Sequence, residues 1–400
     1  MTATFPIQQK ERVVIVDVLR GFALFGVLMG NFTGMLTNFV PSRIIKTLST
    51  PFDNCLDDLH SIFIQNKFMT LFSILFGYGF GVIMDRVTKK NLNSTSFFLR
   101  RMFWLFLFGC LHLAFWPGDI LHVYAIAGIF LLLFRNKPDK GIFTWSLLFM
   151  FVFPFIIRIY QQYMAYSPDY DSTTELFYTT MKYGTMKDVA LANYVSYPKR
   201  WIFTLVDLRD CCESLGRFLF GYYVLRKQIL VRANENKELL KRFWVTSMFG
   251  TIIYVGLWLL NKNSILTSKL LLYPLFKLGT FAVASFYSTS IILLFEKNNT
   301  NKLAKAFSNL GRMTLTNYLM ESLVYVIIFY HVGFGLHGEW SLTTIWIAAL
   351  VVYFCQIIFS GWWLSKFLYG PVEWIWRQLT YQKRFQLRKH TCAESKMFSP

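Results

Sequence analysis

Charge is scarce in this sequence, and acidic charge is scarcer still. Asp, Glu, Lys and Arg together make up 16% of its 400 residues, with 22 acidic against 41 basic. A soluble globular chain carries about 25% charged residues. The deficit excludes a set of ordinary water-soluble domains, although length alone would suit two or three of roughly 150 residues. Cysteine is present but unpatterned. Cys55, Cys110, Cys211, Cys212, Cys355 and Cys392 form no CxxC pair, so no metal framework is expected. Cys211 and Cys212 are adjacent, which is poor geometry for a disulfide. A cleavable leader is missing too. Asp17 and Arg20 interrupt what would be its apolar core, no small-x-small site follows, and the first apolar stretch is expected to be retained.

Apolar and aromatic residues take the place of charge. Hydrophobic residues are 54% of the chain, including 42 Phe, 21 Tyr and 12 Trp. Ten stretches have the length needed to cross about 30 Å of hydrocarbon. They lie at about 13–35, 61–84, 97–117, 119–135, 141–160, 206–225, 243–260, 272–295, 313–330 and 341–369. The expected fold is all-α: a polytopic integral membrane protein of about ten transmembrane helices in one bundle. Lys and Arg divide unevenly among the connections, 26 on one side and 8 on the other, with seven inside spans. The positive-inside bias then puts both termini and the basic connections in the cytoplasm. The basic excess is a topology signal, and nucleic acid is not expected as a partner. Residues 1–382 read as the membrane domain, 161–205 as an outer cap rich in Tyr, and 383–400 as a basic cytoplasmic tail. Leu75-Phe-Gly-Tyr78 echoes Leu219-Phe-Gly-Tyr222. A shared helix-packing glycine explains the echo more simply than an internal repeat.

Polar groups inside spans are costly, and each is a functional candidate. Asp17, Arg20 and Asn31 fall on one face of the first helix at 100° per residue. Asp17 and Arg20 can pair at i, i+3, either as a structural ion pair or as part of a site. Asn31, near the other end, is helix–helix glue or a catalytic group. In Cys110–Tyr124, Pro117-Gly118 breaks the chain and leaves one or two residues for a loop. Asp119 would cap the helix that follows. His112 in a span needs a partner, and a histidine beside a carboxylate is the arrangement of a general base. His122 sits deeper and can bond to backbone. Lys67 reads as a residue snorkelling to the interface. Thr314, Asn317, Glu321 and Tyr325 form one stripe of the ninth span, and Glu321 is expected to pair with an intramembrane Lys or Arg. Arg158, Arg209, Arg217, Lys277 and Lys366 also lie in spans. Glu373 and Arg377 can pair at i, i+4 in an interfacial helix anchored by Trp374 and Trp376.

Several of these segments together resemble one family. Asp17-Val-Leu-Arg-Gly-Phe-Ala-Leu-Phe-Gly26 with Asn31 is similar to the opening of the YeiB family of bacterial membrane proteins. Lys67-Phe-Met-Thr-Leu-Phe-Ser-Ile-Leu-Phe-Gly77 is similar to its second motif, and His112 through Tyr124, with Trp116, Gly118 and Asp119, to its third. Gly311-Arg-Met-Thr-Leu-Thr-Asn-Tyr-Leu319 and Gly370-Pro-Val-Glu-Trp-Ile-Trp-Arg377 resemble its C-terminal pair. The resemblance runs from about residue 12 to 382. It implies kinship with heparan-alpha-glucosaminide N-acetyltransferase and other transmembrane acyltransferases, which carry an Arg-Gly and an Asn in the first span and use a membrane-embedded histidine.

The function this implies is O- or N-acyl transfer from cytoplasmic acyl-CoA or acetyl-CoA to an extracytoplasmic acceptor such as a glycan or lipid-linked metabolite. His112 would deprotonate the acceptor, Asp119 would orient the imidazole and Asn31 would face the oxyanion. Arg20, Arg86, Lys89, Arg100 and Arg101 would meet the phosphates. Asp17, Lys67, Trp116, Asn317, Tyr318, Glu321, Glu373 and Arg377 form the remaining substrate-facing or structural polar network. No metal is expected. The lipid bilayer of a bacterial plasma membrane is the expected setting, with room for a homodimer. The rival reading is a secondary transporter that uses buried charge for substrate or ion coupling. A third is a non-catalytic protein assisting an envelope pathway.

Overall fold

The apolar stretches fold into helices, because a backbone in hydrocarbon must satisfy its own polar groups. The computed structural model of the protein describes residues 13–89, 93–164, 170–196, 205–295 and 301–389. The helices are α1 (Val14–Phe39), α2 (Ser42–Leu48), α3 (Pro51–Leu59), α4 (Lys67–Lys89), α5 (Ser94–Leu113) and α6 (Leu121–Phe130). They continue with α7 (Asp139–Leu147), α8 (Phe153–Tyr163), α9 (Tyr170–Tyr183), α10 (Met186–Leu191), α11 (Leu205–Arg226) and α12 (Lys237–Lys262). The last are α13 (Lys269–Phe295), α14 (Lys302–Arg312), α15 (Thr314–Phe329), α16 (Leu342–Lys366) and α17 (Pro371–Tyr381). Among the described residues there is no strand, only an isolated bridge between Phe367 and Arg388. Seven helical stretches have the length and apolarity to cross a membrane: 14–39, 51–89, 94–113, 139–163, 237–262, 269–295 and 342–366.

Three of the ten expected spans depart from that description. Leu121–Phe134 and Thr314–Phe329 are apolar but shorter. Helix α11 is long enough, yet Arg209, Asp210, Glu213 and Arg217 load its first half with charge. The second span is broken rather than continuous. A π-helical turn at His60–Ile64 and a left-handed Asn66 (φ 66°) separate α3 from α4, so Lys67 begins a helix. The turn around Pro117-Gly118 is also longer than expected, because α5 ends at Leu113 and α6 starts at Leu121.

Two glycine crossings set the core. A Cβ on Gly77 would lie 1.9 Å from the Phe218 carbonyl oxygen, and one on Gly221 would lie 1.8 Å from that of Ile74. The two echoing tetrapeptides are therefore the two halves of one contact between α4 and α11. Likewise a Cβ on Gly21 would lie 2.0 Å from the Phe307 oxygen, and one on Gly311 would lie 1.8 Å from the Asp17 oxygen. That contact locks α1 to α14. Small residues let helices approach closely where lipid supplies no hydrophobic drive between them.

Helix α9 caps the bundle where α1 ends, at Phe39. Phe177 packs on Phe39, Thr174 donates to the Asn38 carbonyl, and Arg43 forms a two-pronged bond to Glu175 at 2.8 and 2.9 Å. Beneath it, buried His337 donates from Nε2 to the Phe39 carbonyl at 3.2 Å, and its ring centroid lies 5.7 Å from that of Tyr178. Residues 165–169 and 197–204 of the expected cap, and 390–400 of the expected tail, lie outside the described residues.

The cap predicts an acid-labile contact. Burial pulls the His337 imidazole down to about 4, reinforced by the Lys182 cation and opposed by the Phe39 carbonyl. The folded value lies below the unfolded one of about 6.5, so this contact is fully present above that pH and lost as pH falls through it towards 4. The loss approaches about 3 kcal/mol at the acid limit. The unfolding midpoint of the wild type should therefore fall more steeply than that of His337→Phe between about pH 7 and 4.5. Parallel curves would show that this imidazole does not titrate with unfolding.

Candidate functional site

One large cavity opens among the helix ends that gather the basic residues. It holds about 300 Å³ and is walled by α1, α4, α5, α15 and α17. Along α1 its lining runs from Val13 to Val27, about 21 Å at 1.5 Å per residue. Arg20, Arg86, Arg101, Arg312 and Arg377 line it, with Asp17 and Glu373 as the carboxylates. Beyond them the wall turns apolar and aromatic through Leu24, Phe72, Phe76 and Leu105, and it ends at Met69, Ile120, Leu121, Tyr124 and Tyr318. Cationic mouth and apolar shaft suit an amphiphile with an anionic head.

The close glycine crossing explains why two of these arginines share the mouth. Gly21 and Gly311 bring α1 and α14 into contact, and Arg20 and Arg312 are their chain neighbours. The expected Asp17–Arg20 pair forms at 3.4 Å. Arg101 lies flat on Trp376, 3.5 Å from the ring centroid, and accepts the indole N–H of Trp376 on its carbonyl at 3.1 Å. Glu373 does not serve mainly as an i, i+4 partner. Its oxygens accept the backbone N–H of Leu315 (2.7 Å) and Thr316 (3.0 Å) and the Thr316 hydroxyl (2.5 Å), capping α15. Burial pushes the Glu373 carboxyl up, and these hydrogen bonds oppose the rise. Arg377 stacks on Tyr369, 4.7 Å from the centroid. Of the five basic residues assigned to phosphates, Arg20, Arg86 and Arg101 line the cavity. Arg100 instead donates to the Thr380 carbonyl, and exposed Lys89 ends α4 outside the lining. Arg312 and Arg377 join them, which the spacing of charges along the chain does not reveal.

Behind the closed end lies a three-residue cluster. His112 Nδ1 is 2.7 Å from Asp119 Oδ1, and His122 Nδ1 is 2.6 Å from Asp119 Oδ2. Asp119 also accepts the His122 backbone N–H at 3.0 Å, as the expected cap. The His112 and Asp119 side chains are 0% exposed. With a proton on each Nδ1 the carboxylate is satisfied twice, and each Nε2 carries the lone pair of a base. His112 Nε2 is enclosed without a hydrogen-bond partner. Tyr318 separates it from the shaft, with ring centroids 5.0 Å apart, and the Tyr318 hydroxyl accepts the Ile120 N–H at 3.4 Å. Trp116 sits on the other side of the imidazole, its centroid 6.3 Å away. Sequence reasoning gave His122 a backbone partner. The signal it missed is the i, i+3 spacing from Asp119, which lets a carboxylate just before α6 reach a side chain in its first turn.

The other candidates are held elsewhere. Asn31 lies outside the cavity lining, and its buried Nδ2 has no partner. Lys67 does not snorkel: it is 2% exposed, and Nζ donates to the Ser61 carbonyl at 2.5 Å and to the Tyr254 hydroxyl at 2.9 Å. The break before α4 turns its side chain inward. Glu321 meets no Lys or Arg among the described residues. It faces the Gln356 amide, with neither oxygen in hydrogen-bond geometry. A separate ion network joins α11 to α13, where Glu213 receives Arg217 at 2.7 Å, Lys277 at 2.5 Å and the Tyr273 hydroxyl at 3.2 Å. Among the described residues no group of His, Cys, Asp and Glu has the arrangement of a metal site, and the described cysteines are free.

Comparison with known proteins gives relatives over nearly the whole chain. A family model described as "Protein of unknown function (DUF418)" matches residues 224–383. The uncharacterized protein YxaH of Bacillus subtilis (strain 168) is 32% identical over 98% of this chain and 100% of its own length. An uncharacterized 39.9 kDa protein in the amylase 3' region of Bacillus acidopullulyticus is 28% identical, over 96% of this chain and 97% of the relative. The uncharacterized protein YeiB of Escherichia coli (strain K12) is 27% identical, over 92% and 96%. No solved structure matches the chain.

Proposed function

We propose a reaction for this chain, which belongs to the YeiB-like family of bacterial proteins that carry the DUF418 model. The reading is a membrane-bound acyltransferase that moves an acyl group from cytoplasmic acyl-CoA to an acceptor hydroxyl or amine on the far side of the plasma membrane. It takes Leu121–Phe134, α11 and α15 as spans beside the seven longer stretches, ten in all, with both termini in the cytoplasm. The carrying observation is the unpartnered His112 Nε2, backed by Asp119, behind the closed end of an arginine-mouthed cavity.

The residues fit such a donor. Arg20, Arg86, Arg101, Arg312 and Arg377 would hold its phosphates, and the shaft between Phe72, Phe76 and Leu105 would take its thin arm. The donor supplies an activated thioester. His112 Nε2 takes the proton of the acceptor as it attacks, and Asp119 stabilises the imidazolium through Nδ1. The proton then passes to the leaving thiolate. Tyr318, between imidazole and shaft, has to move aside for the two substrates to meet.

The rival, a secondary transporter, draws on the α11–α13 ion network, which the acyl-transfer reading does not use. One set of assays separates them. Purified protein should be stabilised against heat by CoA and should release thiol from an acyl-CoA when an acceptor is present. Absence of both with every acyl length sinks the transferase, and ion-dependent uptake into proteoliposomes promotes the transporter.

A further inference from the structure

Between α15 and α16 the bundle encloses four polar side chains in two facing rungs. Asn317 and Glu321 are one turn apart on α15, and Gln356 and Ser360 are one turn apart on the antiparallel α16. Asn317 Nδ2 donates to Ser360 Oγ at 3.0 Å, and Gln356 Nε2 donates to the Asn317 carbonyl at 3.0 Å. None of the four is more than 3% exposed. Both Glu321 oxygens, Asn317 Oδ1 and Gln356 Oε1 are enclosed without a hydrogen-bond partner. Leaving such groups buried and unmet is costly, and leaving a charge unpaired costs most.

The character of these atoms selects the ligand. All four are acceptors, one side chain is acidic, and no cationic side chain reaches it among the described residues. An anion or an apolar group would leave every one of them unmet. The hydrogens left over on Asn317 Nδ2, Gln356 Nε2 and Ser360 Oγ are not in hydrogen-bond geometry with any of these four oxygens, and a proton on Glu321 would add only one donor. Oxygen ligands of this kind, carboxylate and amide carbonyl, suit a hard cation, and one charge balances one carboxylate.

We infer that Asn317, Glu321, Gln356 and Ser360 bind one Na⁺ ion. The site adjoins the cavity wall. Tyr318 lies one turn before Glu321 and lines the closed end, while Tyr353, on the Gln356 helix, donates to the Gly21 carbonyl at 3.0 Å. Among the described residues, these two phenols are the other titratable groups beside the carboxyl. Occupancy of the site thus bears on the helix that carries Tyr318, whichever reaction the cavity serves.

Full-length protein purified without Na⁺ decides the matter when melted in NaCl and in choline chloride at equal ionic strength, beside Glu321→Gln. The glutamine amide brings two donors and no charge, so this variant needs no cation. A Na⁺ site gives a saturable, Na⁺-specific rise in the wild-type midpoint, and radioactive Na⁺ binding that weakens at least about tenfold in the variant. A midpoint that falls as pH rises in the wild type but not in Glu321→Gln, with no Na⁺ effect, shows a carboxyl that is protonated rather than cation-bound, and that result overturns the inference. A wild type indifferent to Na⁺ that tracks the variant across pH overturns the inference. Gln356→Met guards against a variant that fails to fold. It removes one ligand oxygen and keeps the carboxyl, so it must weaken the Na⁺ response, and an unweakened response also overturns the inference.

Discussion

His112→Ala should give a folded protein that binds the acyl donor and transfers its acyl group about 10²- to 10⁴-fold more slowly than the wild type. The fold survives because Asp119 keeps two of its partners, the His122 imidazole and the His122 backbone N–H. Donor binding survives because the arginines of the mouth stand towards the other end of a cavity whose lining runs about 21 Å along α1. What disappears is an enclosed lone pair with a carboxylate behind it and no partner in front. Turnover is read from thiol release and donor binding from thermal shift. Undiminished turnover would remove His112 from the reaction. A loss of turnover accompanied by loss of donor binding would make it structural instead. Asp119→Asn is the harsher change, because it disturbs two imidazoles and the start of α6 together. It should lower the melting temperature as well as the rate.

Parts of this site are legible in the sequence because they are local. The i, i+3 spacing of Asp17 and Arg20 gives their ion pair, and Asp119 is a recognisable cap close to His112 in the chain. Other parts depend on where distant helices meet. Arg312 and Arg377 reach the mouth only because α14 packs into α1 and because Glu373 fastens α17 to the start of α15. Lys67 looks like an interfacial lysine until the π turn and left-handed Asn66 redirect it onto Tyr254. Glu321 looks like half of an ion pair because burial demands compensation, yet the facing position is filled by Gln356. Hydropathy identifies which stretches leave water. It says little about which faces of them meet.

The glycines carry that missing information, and they support the second large effect. Gly21→Ala, Gly311→Ala, Gly77→Ala and Gly221→Ala should each cost about 1–3 kcal/mol or more, as overpacking does when no space can open. In all four the new methyl would stand 1.8–2.0 Å from a backbone oxygen of the neighbouring helix, which no rotamer change can move. Gly30→Ala and Gly256→Ala are the controls. The nearest atom to a Cβ on Gly30 is 4.0 Å away, and Gly256 has nothing within 4 Å. Their change should be neutral or stabilising by up to about 1 kcal/mol, the usual helix preference for alanine. Melting temperatures of the six variants in one detergent should therefore fall into two groups. A single overlapping distribution would mean that the helices do not cross this closely. The two tight crossings should also differ from each other in function. The α1–α14 contact sets Arg20 and Arg312 at the mouth, so Gly21→Ala and Gly311→Ala should weaken anionic ligand binding even where the protein still folds. Gly77→Ala and Gly221→Ala, at the α4–α11 contact, act on the wall that carries Phe72 and Phe76, and there the shaft should suffer before the mouth does.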